Sequence, residues 1–146
     1  MAVETRTIYE IEDVADLHAL YQTHWWFAER EPEALRRAVE HSDEFVGLRR
    51  TDDDRLVASA RVITDYTFTG KILDVIVAEA LRGEGLGRRL MAEITHHPRL
   101  RDVDELTLNC RGGVAPFYES CGFRVHEMIE AHERGESEAY YVMVHS

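Results

Sequence analysis

The chain has 146 residues, a net charge of −11 and a hydrophobic fraction of 45%, which is the size and composition of a single globular domain. This charge disfavours binding to nucleic acid or to an anionic membrane surface, and no apolar run is long enough to span a bilayer. The two cysteines, Cys110 and Cys121, have neither metal-ligand nor disulfide spacing, so a reduced, cytoplasmic protein is expected.

Hydrophobic periodicity and turn residues predict an alternation of strands and helices along the chain. Asp13 precedes an apolar helical face and is a plausible N-cap, and Pro32 stands where the first turn of a second helix tolerates it. In chain order we expect a strand over 5–11, helices over 13–24 and from 31, strands over 44–50, 56–64 and 71–77, a helix over 85–96, a strand over 104–109, a helix over 114–120 and strands over 123–128 and 138–144, with a charged loop over 131–136.

The segment from Ile72 to Met91 carries the clearest functional pattern. A short apolar strand is followed by a turn with glycines at 83, 85 and 87 and then by an amphipathic helix. Glycines let a ligand approach the backbone, and the first turn of a helix directs free N–H groups and the positive end of its dipole toward that ligand. The pattern predicts a phosphate or pyrophosphate site, with a glycine-rich turn that holds no ligand as the alternative.

The spacing distinguishes this turn from other phosphate-binding loops. No Lys-Ser or Lys-Thr pair follows Gly87, as a P-loop requires, and Leu90 stands where a dinucleotide-binding G-x-G-x-x-G pattern needs glycine. Arg82, Gly85 and Gly87 instead follow the pattern R-x-x-G-x-G. This resembles the acyl-CoA pyrophosphate loop of the GCN5-related N-acetyltransferases (the GNAT family), which has Gln or Arg at the first position and Gly or Ala at the last.

A second segment and the order of the elements extend the resemblance over essentially the whole chain. The sequence Pro116-Phe-Tyr-Glu-Ser-Cys-Gly-Phe123 is similar to the family's second motif, in which an aromatic-Tyr pair on a short helix precedes Gly-Phe. The resemblance implies one domain over residues 1–146 with the α/β (α+β) GNAT fold, a mixed, mostly antiparallel, strongly twisted sheet of about seven strands flanked by four helices. It also implies acetyl-CoA as cosubstrate, and the histidines have no spacing for a metal.

By the same resemblance, acetyl-CoA would contact the strand predicted over 71–77 and the glycine-rich turn that follows it. The backbone of Val75, Ile76 and Val77 would pair with the pantetheine arm, unless this strand is fully paired with its neighbours. Many family members have an asparagine in the loop after the next strand, and here Asn109 or Arg111 would take that contact. The pyrophosphate would lie against the backbone or charges of Arg82, Gly83, Glu84, Gly85, Leu86, Gly87 and Arg88, although Arg88 could equally belong to a solvated helix face.

Direct transfer needs an acid for the departing CoA sulfur and a base for the attacking amine. The resemblance assigns the acid to Tyr118, with a core tyrosine as the alternative. Asp74 is the first candidate base, because an acid inside an apolar strand is unusual, but it could equally be a structural aspartate bonded to backbone or to Arg61. Asp65 is the alternative base or an anchor for the amine. Lys71 stands near a position where the family often has glutamate, which leaves the base open.

The acceptor is expected to be a small-molecule amine or a peptide amine. Trp25, Trp26 and Phe27 stand in the loop that borders the acceptor site in this fold, and one or two of them could form its wall, with a core cap or a homodimer contact as the alternative. Arg61 is a further candidate for substrate binding. Acidic residues in the predicted loops favour a cationic acceptor.

Lys71 is the only lysine among 17 basic residues, and an acidic composition of this kind is typical of a high-salt cytoplasm or a GC-rich genome.

The sequence therefore predicts a soluble N-acetyltransferase that moves the acetyl group of acetyl-CoA to a primary amine through a tetrahedral intermediate. The alternative is a non-catalytic acyl-CoA-binding sensor or interaction module on the same fold. Replacing Tyr118 with phenylalanine separates the two, because it should cut turnover in an enzyme and leave binding intact.

Overall fold

The order of strands and helices is the one predicted from the sequence. The computed structural model describes residues 3–24, 27–130 and 139–146. Within these ranges the elements are β1 (Thr5–Ile8), α1 (Val14–Tyr21), α2 (Pro32–Glu40), β2 (Glu44–Arg50), β3 (Leu56–Thr64), β4 (Thr69–Val77), α3 (Leu86–Thr95), β5 (Glu105–Arg111), α4 (Ala115–Ser120), β6 (Arg124–Ile129) and β7 (Tyr140–His145), with 3-10 turns at Glu79–Leu81 and Gly112–Val114. The predicted loop over 131–136 lies outside the described residues.

The helices are short and begin close to the predicted positions. The Asp13 carboxylate accepts a hydrogen bond from the Ala15 N–H at 2.9 Å, and Pro32 occupies the first position of α2, where its missing N–H costs nothing. Gly85 precedes α3 with a φ of 83°, a left-handed conformation that glycine adopts without steric cost. None of the helices in the three described ranges is long and apolar enough to cross a membrane.

Several strand ends differ from the prediction, and three of them are decided by pairing between strands. β1 stops at Ile8, where its ladder with β2 ends. β4 begins two residues earlier than predicted, since Thr69 pairs with Glu105 of β5. β5 continues to Arg111, which pairs with Tyr140 of β7. Local sequence patterns do not contain these long-range pairings.

In the described part of the chain, seven strands form one sheet in the order β1-β2-β3-β4-β5-β7-β6. Neighbouring strands are antiparallel except β4 and β5, which are parallel. One face packs against α1 and α2 through Leu17 and Leu35. The opposite face packs against α3 and α4 through Leu90 and Tyr118. This mixed, mostly antiparallel sheet with four helices confirms the predicted fold class.

β4 and β5 are paired at one end only. Their last pair is Lys71 with Thr107, and beyond it no strand of the described ranges pairs with the β5 side of β4. On the other side of β4, Asp74 and Val75 together oppose Ala60 of β3, which makes a β-bulge. The sheet therefore opens between β4 and β5, beside the bulge.

This opening explains why β4 is less buried than its apolar sequence predicts. Ile72 and Ile76 are buried as expected, but residues 73–75 are only partly buried. A continuous apolar run usually indicates a parallel strand covered on both faces. Here the separation from β5 removes part of that cover, so within residues 71–77 the expectation holds only for Ile72 and Ile76.

Replacing Leu90 with alanine should lower the free energy of unfolding by about 3 kcal/mol, because the side chain is fully buried beneath the sheet and its removal leaves a cavity. Urea denaturation of the purified protein measures the change. The matched control is Arg89→Ala on the exposed face of the same helix, which should change stability by about 0.5 kcal/mol or less. Equal losses for the two variants would contradict the described packing of α3.

Candidate active site

A cavity of about 800 Å³ lies where β4 and β5 separate. Its walls come from the second half of β4, the loop before α3, the start of α3, the end of β5 and α4. Pockets of this size hold drug-sized ligands or the reacting part of a larger molecule. The predicted site residues that line it are Asp74, Val75, Ile76, Val77, Arg82, Gly83, Gly85, Leu86, Gly87, Arg88, Asn109, Arg111 and Tyr118.

The wall formed by β4 has an unpaired backbone edge. Because pairing with β5 ends at Lys71, backbone groups of Val75 and Val77 that point toward β5 have no ladder partner among the described strands. Buried backbone groups of this kind need a hydrogen-bond partner, and an extended ligand can supply one. The alternative of a fully paired strand therefore does not hold in this structure.

The loop before α3 offers an open cradle of backbone at the end of β4. Gly83 and Gly85 have φ values of 86° and 83°, and a Cβ atom built on either would meet no atom within 4 Å. A side chain there would stand in the space where a ligand could approach. No side chain in the described part of the chain caps the N-terminus of α3, and the first turn of this helix has no acidic residue. These features fit a pyrophosphate group.

Arginines flank this cradle in two different ways. Arg82 is exposed and lines the cavity. The Arg88 guanidinium donates to the Ser120 carbonyl at 3.1 Å and to the Ser120 hydroxyl at 3.0 Å, so it connects α3 to α4 while it also lines the cavity. Glu84 is exposed and does not belong to the lining.

Tyr118 faces the cavity from α4. Only 8% of its surface is exposed, and burial raises the pKa of its phenol above the usual 10.0. The Phe117 ring lies edge-on to it at 5.1 Å between centroids. No hydrogen bond to its hydroxyl is formed by the described residues. A protonated donor that has no partner among these residues is therefore available to a ligand.

Cys110 also lines the cavity, but its thiol is not activated. Its Sγ lies 3.5 Å from Sδ of Met143, and burial raises the pKa of the thiol to about 11. A thiol with so high a pKa is a poor nucleophile at neutral pH. This agrees with a role as a small packing residue.

Asp74 is held between two arginines. Its Oδ2 accepts hydrogen bonds from Arg30 and from Arg61, each at 2.7 Å, and its side chain is only 9% exposed. Burial alone would raise the pKa of Asp74, but the hydrogen bonds and charges of the two arginines bring it below its usual value. A carboxylate with these partners is a weak proton acceptor, so the geometry favours the structural alternative for Asp74.

Asp74 also has an unusual backbone conformation, with a φ of 56°. Among residues with side chains, aspartate and asparagine tolerate this left-handed region best. Burial, followed by the charge of Asp74 and a hydrogen bond to it, raises the pKa of Tyr21. The carboxylate thus ties the β-bulge to α1, to β3 and to Arg30.

Two predicted residues lie away from the cavity. The Asp65 carboxylate accepts N–H groups of residues 67, 68 and 69 at 2.8–3.0 Å, which lowers its pKa and closes the turn between β3 and β4. Arg61 lies behind Asp74 and does not line the cavity. Trp25 and Trp26 lie outside the described residues.

Arg30 was not predicted from the sequence. Its guanidinium lies beside Asp74, 4.8 Å from the Phe27 ring and 5.7 Å from the Tyr21 ring. His24, which lines the cavity, was not predicted either, whereas Phe27, which also lines it, belongs to the aromatic run expected near the acceptor site. Burial, then the charge of Arg82, lowers the pKa of His24. The one feature of the sequence that pointed to Arg30 was Asp74, because an acid inside an apolar strand needs a cationic partner. Within residues 3–24, 27–130 and 139–146, no group of three His, Cys, Asp or Glu side chains could hold a metal ion.

The chain is similar to a known protein family and to several known proteins. The family model described as the Acetyltransferase (GNAT) domain matches residues 12–136. Serotonin N-acetyltransferase 2, chloroplastic, of Oryza sativa subsp. japonica is 37% identical over 100 residues, which are 66% of this chain and 50% of that protein. The chain spans about half the length of the first curated relatives that it matches.

Solved structures with the same fold are more distant in sequence. The ribosomal-protein-S18-alanine N-acetyltransferase of Escherichia coli has a TM-score of 0.76 at 17% identity, covering 97% of this chain and 93% of its own. A GNAT family acetyltransferase of Elizabethkingia anophelis, with acetyl-CoA bound, has a TM-score of 0.74 at 11% identity, and the match covers 97% of each chain. At these identities the likeness shows the fold alone.

Replacing Asp74 with asparagine should lower the free energy of unfolding at pH 7 by about 2 kcal/mol, because two arginines lose a partly buried anionic partner. Asparagine keeps the left-handed backbone conformation. The folded-state pKa of Asp74 is depressed, so this stabilisation is present above its unfolded value of about 3.9 and is lost as pH falls through the folded value.

The difference between wild type and Asp74→Asn should therefore shrink below about pH 4. Urea denaturation at several pH values measures it. Asp16→Asn is the control, since Asp16 pairs with Arg49 at 2.9 Å but is 44% exposed, and it should cost less. A loss for Asp74→Asn that does not depend on pH would contradict the ionic network.

Proposed function

Because the chain belongs to the GNAT acetyltransferase family, we propose that it is an N-acetyltransferase that moves the acetyl group of acetyl-CoA directly to a primary amine. The observation that carries this proposal is the unpaired edge of β4, which runs along the cavity and ends at the loop of Gly83 and Gly85. An extended amide-containing arm fits the edge, and a pyrophosphate fits the loop. Acetyl-CoA would use both features at once, with its pantetheine arm along the edge of β4 and its pyrophosphate at the loop.

The proposed binding of acetyl-CoA uses mainly backbone groups. Val75 and Val77 would exchange hydrogen bonds with the pantetheine amides, as an added strand does. The first N–H groups of α3 would bind the pyrophosphate, and Arg82 would add charge. Asn109 and Arg111 line the opposite wall at the end of β5, where either could contact the pantetheine.

In the proposed reaction, the amine attacks the thioester carbonyl and the tetrahedral intermediate expels the CoA sulfur. Tyr118 would donate a hydrogen bond or a proton to that sulfur. Its raised pKa keeps the phenol protonated at neutral and mildly alkaline pH. A weakly acidic phenol stabilises a thiolate better by hydrogen bonding than by complete proton transfer, so hydrogen-bond donation is the proposed role.

In the proposed reaction, no carboxylate takes the proton of the attacking amine. Asp74 is the one carboxylate in the described lining of the cavity, and two arginines occupy it. We therefore give Asp74 a positioning role, in which it fixes the bulge and Arg30, and we give Asp65 no catalytic role. The attacking amine would lose its proton to water, and turnover should rise with pH as more of the acceptor is neutral.

The same lack of a base favours a second candidate function, a non-catalytic acyl-CoA sensor on the same fold. Acetyl-CoA binding without transfer to any amine would support it. A cytoplasmic location and a homodimer stay predictions, and the serotonin N-acetyltransferase relative is a chloroplastic protein.

Replacing Tyr118 with phenylalanine should lower kcat for acetyl transfer by about 10²-fold, because the leaving sulfur loses its donor. The Kd for acetyl-CoA should stay within about twofold, because the ring remains in place. Transfer to pooled amines and peptides is followed by mass spectrometry, and binding by calorimetry. Tyr141→Phe on β7, outside the cavity, is the control. Unchanged transfer by the Tyr118 variant would exclude it as the donor.

Replacing Gly85 with alanine should raise the Kd for acetyl-CoA by about tenfold, because the new methyl group stands in the cradle and the backbone resists a positive φ. Gly122→Ala is a strain-matched control: its φ is 95°, and it lies outside the cavity. That variant should lose stability yet keep the wild-type Kd. An unchanged Kd for Gly85→Ala would place the pyrophosphate elsewhere.

A further inference from the structure

We propose that Lys71, oriented by Asn109, binds an anionic group of the acceptor, a carboxylate or a phosphate, beside the amine that is acetylated. This inference rests on the proposed acetyltransferase function and names the chemical class of its second substrate. It reverses the sequence-based expectation of a cationic acceptor, because the described walls of the site have the opposite charge balance.

The first observation is the position of the ammonium group. Nζ of Lys71 donates a hydrogen bond to Oδ1 of Asn109 at 2.9 Å, and the pair is exposed. Asn109 lines the cavity. None of the ion pairs formed by the described residues includes Lys71. A neutral amide carbonyl thus fixes the direction of a cation whose charge is not compensated.

The second observation is the side of the cavity on which Lys71 lies. The glycine-rich loop follows β4, whereas Lys71 precedes the bulge at Asp74 by three residues, about 10 Å along the strand at ~3.3 Å per residue. An acyl carrier that enters from the loop has its acetyl group near the bulge. Lys71 is then beyond that group, on the side from which the acceptor must approach.

The third observation is the charge balance of this region. The protein has a net charge of −11, yet Asp74 is the one carboxylate that lines the described cavity, and it is neutralised by Arg30 and Arg61. Arg111 lies on the same wall as Asn109. Among the described residues, an acceptor with a second positive charge would meet Lys71 without a compensating acid, whereas an anion would gain a charge-assisted hydrogen bond.

The first experiment compares acceptors that differ only in an anionic group: amino acids against their carboxamides, and glucosamine 6-phosphate against glucosamine. The wild type should prefer the anionic member of a pair at least tenfold in kcat/KM, and the two sets show whether a carboxylate or a phosphate is recognised. Lys71→Met should reduce the preference to about onefold, Lys71→Glu should reverse it, and Lys71→Arg should keep most of it. Equal use of both members by the wild type, or a preference that survives Lys71→Met, would overturn the proposal.

A second readout does not depend on turnover. Because Lys71 is the only lysine, protein labelled with ¹³C at lysine Cε gives a single side-chain signal. With acetyl-CoA present, acetate or inorganic phosphate should shift that signal to saturation, whereas sodium chloride at equal ionic strength should not. Asn109→Ala should weaken the response several-fold. The absence of a saturable shift would overturn the proposal even if acetyl transfer to other amines is found, and a shift without any transfer would instead count against the proposed enzymatic function.

Discussion

The site depends on one constraint, which is that β4 and β5 stop pairing while β4 continues. After Lys71 and Thr107 the two parallel strands separate, and the backbone of β4 is left with an edge inside the sheet. Such an edge is costly when it is buried without partners. The protein retains it between a packed α3 on one face and α1 with α2 on the other, and that arrangement makes a binding surface from the strand itself.

The ionic network around Asp74 maintains this geometry. A bulge with a φ of 56° at a residue that is not glycine stores some strain, and the two arginines compensate by holding the side chain from different elements. Arg61 belongs to β3 and Arg30 to the segment that precedes α2. A carboxylate held in this way is a weak proton acceptor, which favours a role of Asp74 in the shape of the site. In the proposed complex, Lys71 faces the acceptor on the far side of the bulge.

Much of the fold and the conformation of the glycine-rich loop before α3 could be predicted from the sequence. Asp13, Pro32 and Gly85 determine the conformation of their own neighbours, and the two glycine-containing motifs are local. The parts that could not be predicted are non-local. Arg30, one of the two arginines bonded to Asp74, lies 44 residues away, and the end of β5 is decided by pairing with Tyr140. Asp65 is a different case, because the three backbone N–H groups that its carboxylate accepts lie only two to four residues away. The sequence pattern does not show that this turn occupies the carboxylate.

The most direct test of the account is amide hydrogen exchange with and without saturating acetyl-CoA, measured by NMR. The account predicts slower exchange at the amides of residues 75–77 and 83–88, with little change in β1 and β2, because the ligand completes the open edge of β4 and the N-terminus of α3. Binding that is visible by calorimetry but leaves these amides unprotected would contradict the placement of the site.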